Sequence, residues 1–502
     1  MKYFVVSLIT LLCFPCFSQV EKSFKIEKQY LNSRVGVGQE HQMMETLVDV
    51  KTCNDKYLSK PNIVILYSDD LGWSDLGCYG SNKNETPHLD SLSKEGITFT
   101  QAYAAAPICS ASRAALLTGK SPARVHFEFV VNDGRQEGKP LLPPVATQNL
   151  KLEEITFAEI ARDAGYKTAM FGKWHLSQHN GEYLKWSDTH GPLQQGFSIG
   201  DYNYGSHPYN EKNRQLVYLK ENEYPQDVLV DQTVEFIRNH KNVKSPFLLY
   251  FSSYYVHTPV IPNNSWLIEK YRNKFPKASE DEIKYAAFVE TMDYYYGEIL
   301  DAIKENGLED NTIVIFTSDN GGHPIYTDNL PLRGHKWNLY EGGIREPLII
   351  KWTGKAEGNT RIDLPVIQWD ILPTICDVVN SKVPENVDGT SLLPLLENKE
   401  LAPRKEKYLY WHFPNYINSK NSKKYEGTTP CSAIRDGDYK LLYFYEEDYC
   451  KLYKVNDGSY ERNDLIKELP QRAKNMQQEL LAILKRVNAR LPIRNSNYTN
   501  GN

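Results

Sequence analysis

The residues most suited to chemistry lie in the stretch from Pro107 to Gly119. A single cysteine, Cys109, is followed by small residues and then by Arg113, at the start of an Ala/Leu-rich segment that predicts a helix. The first turn of a helix has unpaired N–H groups and the positive end of the dipole, which favour an anion beside the sulfur. A lone cysteine is equally compatible with a small buried hydrophobic residue. The stretch is therefore a candidate catalytic centre.

Oxygen-bearing side chains follow two apolar runs of the chain. Asp69 and Asp70 end the first run, and Asp319 and Asn320 end a later one. Such oxygens are the ligands of a hard divalent cation rather than of zinc. Each residue alone is also typical of a helix cap or a turn, but four of them in corresponding places predict a metal site.

Basic and imidazole side chains follow two further apolar runs. Lys173 and His175 lie two residues apart, so in an extended segment they project to the same side. His257 follows the next run, and Lys336 lies in a glycine-punctuated loop between residues 332 and 347. Singly, these residues are compatible with a solvated lysine, a structural histidine or a charged loop. Together they indicate an anion-binding pocket.

The elements that must position these residues alternate between strands and helices. Each of the stretches 61–72, 166–176, 246–259 and 312–322 begins with an apolar, β-rich run and ends in polar residues. Helical segments lie between them, notably Leu89–Glu95, Phe157–Ala164 and Tyr285–Glu305, which predicts a large, mostly parallel α/β sheet with covered faces. The carboxyl ends of such strands form ligand sites. Short alternating runs in 407–453 and a helix at 470–484 predict a smaller antiparallel α+β subdomain.

Chain length and net charge limit the number of domains and the classes of binding partner. With 502 residues the chain exceeds one core and predicts two domains, and its net charge of -5 offers no basic stripe for nucleic acid and no polybasic membrane patch. One basic residue and a short apolar run at the start predict a secretory signal rather than a transmembrane segment, and hence export to the periplasm or the medium. The predicted divisions are a signal peptide (1–18), an extension (19–60), a catalytic domain (61–400), a C-terminal subdomain (401–490) and a tail (491–502).

The cysteines give little further guidance. Six remain after the signal, and their wide spacing resembles neither a dense disulfide framework nor a zinc site. A disulfide between Cys431 and Cys450, across a predicted C-terminal hairpin, is one open alternative.

The stretch Cys109-Ser110-Ala111-Ser112-Arg113 and the loop at 332–347 resemble two signatures of the type I, formylglycine-dependent sulfatases, which are arylsulfatase-like members of the alkaline phosphatase superfamily. The resemblance covers most of the chain from Pro61 to about Leu484. It implies an alkaline-phosphatase-like fold and conversion of Cys109 to formylglycine (3-oxoalanine), the nucleophile. Where that family commonly has proline this chain has Ala111, a form associated with a radical, anaerobic-type maturating enzyme and a bacterial source.

The same resemblance implies the roles of the other residues. One Ca²⁺ per chain would be bound by Asp69, Asp70, Asp319, Asn320 and the converted Cys109. The hydrated aldehyde, held by Arg113 and the metal, would lose a proton to Asp319 and attack sulfur. His257 with Lys336 would protonate the leaving oxygen, His175 would assist sulfate expulsion, and Lys173 and Lys336 would contact sulfate. Three carboxylates and three cationic side chains cancel, so the metal leaves the pocket at net +2, which favours anionic esters.

The substrate implied is a sulfated carbohydrate, such as oligosaccharides of algal ulvan, carrageenan or fucan, or of host glycosaminoglycans. The polar, aromatic stretch from Gln178 to Tyr218 and His412 of the predicted C-terminal sheet are candidate sugar contacts, although a surface loop and a structural histidine would fit the same residues. Two alternatives remain: a phosphonate monoester or phosphodiester hydrolase of the same superfamily, and an inactive sulfatase fold that binds sulfated glycans.

Overall fold

The computed structural model describes residues 60–132, 137–417 and 427–498. The predicted signal peptide, nearly all of the extension at 19–60 and the last residues of the tail lie outside these ranges. Within them, every helix is either too short or too polar to pass through a bilayer.

The strands are β1 (Asn62–Ser68), β2 (Ile97–Tyr103), β3 (Leu141–Leu142), β4 (Lys167–Gly172), β5 (Ile199–Asp201), β6 (Phe247–Ser252), β7 (Thr312–Ser318), β8 (Arg345–Trp352), β9 (Thr360–Ile362), β10 (Val366–Ile367), β11 (Leu409–Phe413), β12 (Cys431–Asp436), β13 (Tyr439–Phe444), β14 (Tyr449–Lys454) and β15 (Ile493–Arg494). The α-helices are α1 (Pro87–Glu95), α2 (Cys109–Thr118), α3 (Pro122–Val125), α4 (Phe157–Asp163), α5 (Val228–Asn239), α6 (Ser265–Lys274), α7 (Glu280–Glu305), α8 (Glu341–Ile344), α9 (Ile371–Val379), α10 (Leu393–Leu396) and α11 (Pro470–Arg486).

The larger sheet of the described residues has nine strands in the order β10-β2-β8-β7-β1-β6-β4-β5, with β9 beside β2. Its centre is parallel, because β1 pairs in parallel with β6 and β7, and β6 pairs in parallel with β4. Only β8 runs antiparallel to its neighbours, β7 and β2. The predicted large, mostly parallel α/β sheet with flanking helices is therefore confirmed.

Helix α2 is unusual because all ten of its residues are buried. It begins at Cys109, after the extended residue Ile108, and it ends at Gly119, whose φ of 66° is the left-handed conformation that favours glycine at a helix end. Because the helix is enclosed on every side, Arg113 is carried into the interior with it. The longest helix, α7, starts five residues before the predicted Tyr285, because Ser279 and Glu282 form a capping box there.

The C-terminal residues form an antiparallel sheet in the order β11-β12-β13-β14, against which α11 packs. This agrees with the predicted α+β subdomain. The Cys431–Cys450 disulfide is not formed, and both thiols are free. The reason is topological: Cys431 pairs with Phe444 and Cys450 with Tyr443, so strand β13 lies between them.

A buried ionic cluster attaches this smaller sheet to the larger one. The Lys440 ammonium of β13 lies 2.9 Å from Glu341 Oε1 and 3.0 Å from Glu461 Oε1. Glu461 also accepts a hydrogen bond from the Glu341 amide, and the Tyr103 hydroxyl of β2 donates to Glu341. All four side chains are buried. The cluster, called the ionic joint below, is therefore a specific contact between the two sheets that is excluded from water.

Replacing Lys440 with methionine should destabilise the protein strongly. The substitution keeps the apolar volume but removes the ion-pair partner of buried Glu461 and leaves Glu341 with Arg345 at 3.5 Å, a change that typically costs about 3–5 kcal/mol. The measurement is the midpoint of urea unfolding, compared with Lys467→Met, which removes an exposed lysine. Equal midpoints for the two variants would show that the cluster does not hold the sheets together.

Candidate active site

Two carboxylates follow β1 directly and are buried. Asp69 and Asp70 are at most 1% exposed. The Asp69 amide donates to the carbonyl of Tyr255, and the Asp70 amide donates to Asp319 Oδ1 at 3.0 Å. Asp70 has a φ of 63°, a left-handed conformation that aspartate tolerates better than most residues. The backbone at the end of β1 therefore turns sharply, with both carboxylates in the interior.

The second pair of oxygen-bearing residues follows the neighbouring strand, β7. Because Ser68 and Ser318 are paired in register, Asp319 and Asn320 emerge beside the first two carboxylates. The Asn320 side-chain amide donates to Asp70 Oδ1 at 2.8 Å. All four residues therefore lie together at the carboxyl edge of the sheet.

Each of the three carboxylates faces its own cation, and all six side chains are almost entirely excluded from solvent. Close, buried pairing of this kind is needed because an unpaired charge in the interior is costly. The pairs are Lys173 with Asp69 at 2.5 Å, Lys336 with Asp70 at 2.6 Å, and Arg113 with Asp319 at 2.8 Å.

Lys173 reaches this position through a glycine at the end of β4. Gly172 has a φ of 104°, and a Cβ on it would lie 2.0 Å from the Ser252 carbonyl oxygen. The close approach lets the Lys173 amide donate to that same carbonyl at 2.8 Å. Glycine is thus required where the chain leaves β4 towards Lys173.

Arg113 makes contacts with several members of the cluster. Besides Asp319, its guanidinium donates to the Ser252 hydroxyl at 2.6 Å and to the Lys173 carbonyl at 3.2 Å, and it lies 3.6 Å from Asp69 Oδ1. The Ser252 hydroxyl in turn donates to the Lys173 carbonyl. Ser252 had no assigned role in the sequence analysis, and its position at the end of β6 was the only available signal.

Cys109 and His175 are in direct contact. The Cys109 Sγ lies 3.3 Å from His175 Nδ1, and the hydroxyl of Ser110 donates to the His175 carbonyl. Burial raises the pKa of the Cys109 thiol, although Lys173 acts in the opposite direction. Burial and the same lysine hold the pKa of His175 well below its usual range. The pair is therefore a neutral thiol beside a neutral imidazole at the start of α2.

His257 faces the cluster from the segment after β6. Its Nε2 atom lies 3.6 Å from Asp70 Oδ2, while its Nδ1 lies 2.7 Å from the carbonyl oxygen of Thr258. Burial, Lys336 and Lys173 lower the pKa of His257 well below its usual value. An anion bound between the two lysines would reverse their part of this effect.

The donor set fits a hard divalent cation. Asp69 Oδ1 and Asn320 Oδ1 are buried and have no hydrogen-bond partner among the described residues, and such orphaned oxygens suit metal coordination. One ligand atom each from Asp69, Asp70 and His257 lies within 4.8 Å of the others. Asp319, whose oxygens accept hydrogen bonds from Arg113 and the Asp70 amide, is not part of that trio. Burial and Asp69 raise the pKa of Asp319 to about 7, and a bound cation would oppose this.

His412 is not brought to this cluster. It lies in β11, only 3% exposed. Its Nδ1 contacts the Ser432 hydroxyl at 2.7 Å, and its Nε2 contacts the Arg490 carbonyl at 3.0 Å. Both ring nitrogens have protein partners, so the ring offers no free polar atom to a substrate. The alternation of β11 does not reveal this, because Arg490 is remote in sequence.

Part of the stretch 178–218 does border the cluster. The His179 ring lies 6.0 Å from that of His175, and the half-exposed Tyr183 ring lies 5.1 Å from His179. The Tyr209 hydroxyl contacts His257. His323, another residue that the sequence analysis missed, has a pKa lowered to about 4 by burial and Lys336. Its place three residues after Asn320 was the available signal.

Comparison with known proteins agrees with this geometry. The "Sulfatase" family model matches residues 61–381, and the "N-sulphoglucosamine sulphohydrolase, C-terminal" model matches residues 335–490. A sulfatase of Formosa agariphila is 30% identical over 483 residues, which cover 82% of this chain and 85% of the relative. The crystal structure of Ps i-CgsB in complex with k-i-k-neocarrahexaose has a TM-score of 0.68 and 25% identity, and the match covers 88% of this chain and 95% of the other.

Fold and site together define a hydrolase of the alkaline phosphatase superfamily. Within that class the chain belongs to the type I sulfatase family and is a sulfuric ester hydrolase. The phosphonate monoester hydrolase of Agrobacterium radiobacter shares the fold, with a TM-score of 0.61 and 19% identity over 85% of this chain and 96% of that one.

The contacts of His412 predict that His412→Gln lowers stability without impairing turnover. Loss of one or two buried hydrogen bonds should cost about 1–3 kcal/mol, visible as a lower melting temperature. Turnover of an aryl sulfate should stay within about twofold of wild type, because the ring lies outside the cluster. His257→Gln serves as the comparison. A large loss of turnover in His412→Gln at unchanged melting temperature would contradict the structural role.

Proposed function

We propose that this protein removes O-sulfate from a sulfated carbohydrate, most directly from oligosaccharides of a sulfated polysaccharide. The observation that carries the proposal is the position of Cys109. It begins a buried helix, touches His175, and interacts electrostatically with the buried groups Lys173, Lys336, Asp69 and Asp319. The two lysines would face a sulfate group held at position 109 as it develops negative charge, which would stabilise the transition state more than the ground state.

Two groups beyond the encoded side chains would take part in the reaction. A hydrated formylglycine at position 109 would supply the nucleophile, and Ca²⁺ would be held by Asp69, Asp70, Asp319, Asn320 and residue 109. The chain's own residues do the rest. Arg113 orients the group at 109 and neutralises Asp319. Asp319 would accept a proton, and His175, whose Nδ1 contacts the Cys109 Sγ, would remove one from the group at 109. Lys173 and Lys336 bind sulfate oxygens.

His257 is proposed as the general acid. Its Nε2 faces the cluster, whereas its Nδ1 is directed to the backbone. A proton on Nε2 can therefore pass to the departing sugar oxygen, aided by Lys336. Because a sugar alkoxide is a poor leaving group, this proton transfer matters more for a carbohydrate sulfate than for an activated ester.

A carbohydrate substrate is supported by the surroundings of the cluster. His179 and Tyr183 form an aromatic border next to His175, and Tyr183 is 51% exposed. Aromatic faces of this kind stack on sugar rings through their apolar sides. The neighbouring structure of Ps i-CgsB contains k-i-k-neocarrahexaose, an oligosaccharide, which supports the same class of ligand.

The mature protein would arise by export and by modification of position 109. Residues 1–18 would direct export to the periplasm or the medium, where extracellular polysaccharide is available. Ala111, two residues after Cys109, would make the chain a substrate of an anaerobic-type radical maturase.

Mass spectrometry of the peptide that contains position 109 tests the nucleophile. Protein made beside an anaerobic-type maturase should carry formylglycine there and release sulfate from sulfated oligosaccharides. Cys109→Ala should melt at nearly the same temperature, because alanine fits the small buried site, but its turnover should fall by at least about 10³-fold. Cys376→Ala, a buried cysteine outside the cluster, is the matched control.

The same preparation separates the alternatives. Faster hydrolysis of an aryl phosphonate monoester or phosphodiester than of an aryl sulfate would favour the phosphonate hydrolase. Unmodified Cys109 together with binding of sulfated glycan, and no sulfate release, would favour an inactive binding protein.

Calcium should stabilise the protein through the orphaned oxygens. At a calcium concentration 100 times the dissociation constant, mass action adds about 2.7 kcal/mol to stability, which raises the melting temperature relative to protein in chelator. Asn320→Ala removes one uncharged oxygen donor and should weaken calcium binding about tenfold or more. Asn306→Ala, at the end of α7, is the control. A calcium effect that Asn320→Ala leaves unchanged would place the ion elsewhere.

A further inference from the structure

The Nδ1 atom of His257 is surrounded by two oxygens. One is the carbonyl oxygen of Thr258 at 2.7 Å, and the other is the phenol oxygen of Tyr209. A carbonyl can only accept, so Nδ1 carries the hydrogen, and the Tyr209 oxygen is a second acceptor for the same N–H. The protonated nitrogen is thus assigned by the contact geometry. The nitrogen that can exchange a proton with a substrate is Nε2.

Tyr209 is held in this position by a second histidine. The Tyr209 amide donates to His207 Nδ1 at 3.1 Å, and His207 Nε2 contacts the carbonyl oxygen of His257 at 2.8 Å. Because Nδ1 of His207 accepts, its Nε2 carries the hydrogen that it donates to His257. Burial lowers the pKa of His207 to about 3, so the ring stays neutral and keeps both roles. One buried imidazole therefore ties the backbones of Tyr209 and His257 together.

The Tyr209 ring is enclosed by other rings. Its centroid lies 4.3 Å from that of His207, 5.5 Å from Tyr183 and 5.8 Å from Tyr254. The His257 ring lies 5.7 Å away, beside the hydroxyl contact. A ring packed in this way has a fixed orientation, and its hydroxyl is already directed at His257.

We propose that Tyr209 is a positioning residue for the general acid His257. The inference rests on the proposed function, in which His257 protonates the leaving oxygen. Tyr209 and the Thr258 carbonyl share the Nδ1–H, which fixes the rotation of the imidazole and directs Nε2 towards Asp70 and the cluster. The acid form is the imidazolium, which the anionic ester favours by offsetting the charges of Lys173 and Lys336. When its Nε2 gives a proton to the leaving oxygen, the ring keeps the Nδ1 proton and becomes neutral. Tyr209 itself neither gains nor loses a proton.

The test uses leaving-group dependence in the converted, calcium-loaded enzyme. Tyr209→Phe should lower kcat/KM for phenyl sulfate about tenfold, the size expected for one charge-assisted hydrogen bond, and should change nitrophenyl sulfate less than about twofold. The reason is that nitrophenolate is weakly basic and departs without being protonated. The more basic phenolate depends more strongly on protonation by the general acid. Tyr254→Phe is the matched control, because its hydroxyl donates to the Tyr202 carbonyl and not to His257. It should leave the ratio between the two esters unchanged.

A double-mutant comparison separates this role from substrate contact. His257→Gln alone should lose kcat/KM on phenyl sulfate more than on nitrophenyl sulfate. Adding Tyr209→Phe to His257→Gln should then cost less than about twofold, because a residue that acts through His257 has nothing left to position. An equal further tenfold loss in that background would overturn the inference. A His257→Gln variant that loses both esters equally would instead overturn the general-acid assignment itself.

A second readout needs no turnover. In protein labelled with nitrogen-15 histidine, the Nδ1–H of His257 should give a downfield proton resonance that is absent in His257→Gln. With one of its two acceptors removed, Tyr209→Phe should broaden or shift that resonance through faster exchange with water, whereas Tyr254→Phe should not. An identical resonance in wild type and Tyr209→Phe would show that Thr258 alone holds the ring.

Discussion

The structure depends on one constraint: a guanidinium placed almost completely out of water must be neutralised where it lies. Arg113 is carried inside by helix α2 and finds Asp319, the Ser252 hydroxyl and the Lys173 carbonyl around it. Satisfying one buried cation thus fixes the ends of β4, β6 and β7 relative to the helix. Cys109, one turn earlier on the same helix, then faces the cluster.

Much of this arrangement can be predicted from the sequence. An apolar run that stops abruptly at two carboxylates, as at Asp69 and Asp70, indicates a buried strand whose polar end lies at a sheet edge. In a parallel sheet these ends all face the same way, so Asp319 and Lys173 must come near them. The sheet, helix α2 and the antiparallel C-terminal sheet follow from periodicity and turn residues, which are local properties of the chain.

What the sequence does not reveal are contacts between side chains far apart in the chain. The sequence around His412 is compatible with a substrate contact, but one of its ring nitrogens is paired with the Arg490 carbonyl. Cys431 and Cys450 flank one predicted hairpin, yet an intervening strand separates them. The contact of Tyr209 with His257 could not be predicted from the sequence either. Both residues lie in irregular segments, which have no hydrophobic periodicity.

The ionic joint between the sheets has a consequence for biosynthesis. Glu341, which pairs with Lys440, begins a short helix only five residues after Lys336, so the loop that delivers Lys336 is anchored by residues near the end of the chain. During translation, the N-terminal strands leave the ribosome long before that anchor exists. The loop that carries Lys336 can therefore be anchored only after Lys440 and Glu461 have been synthesised.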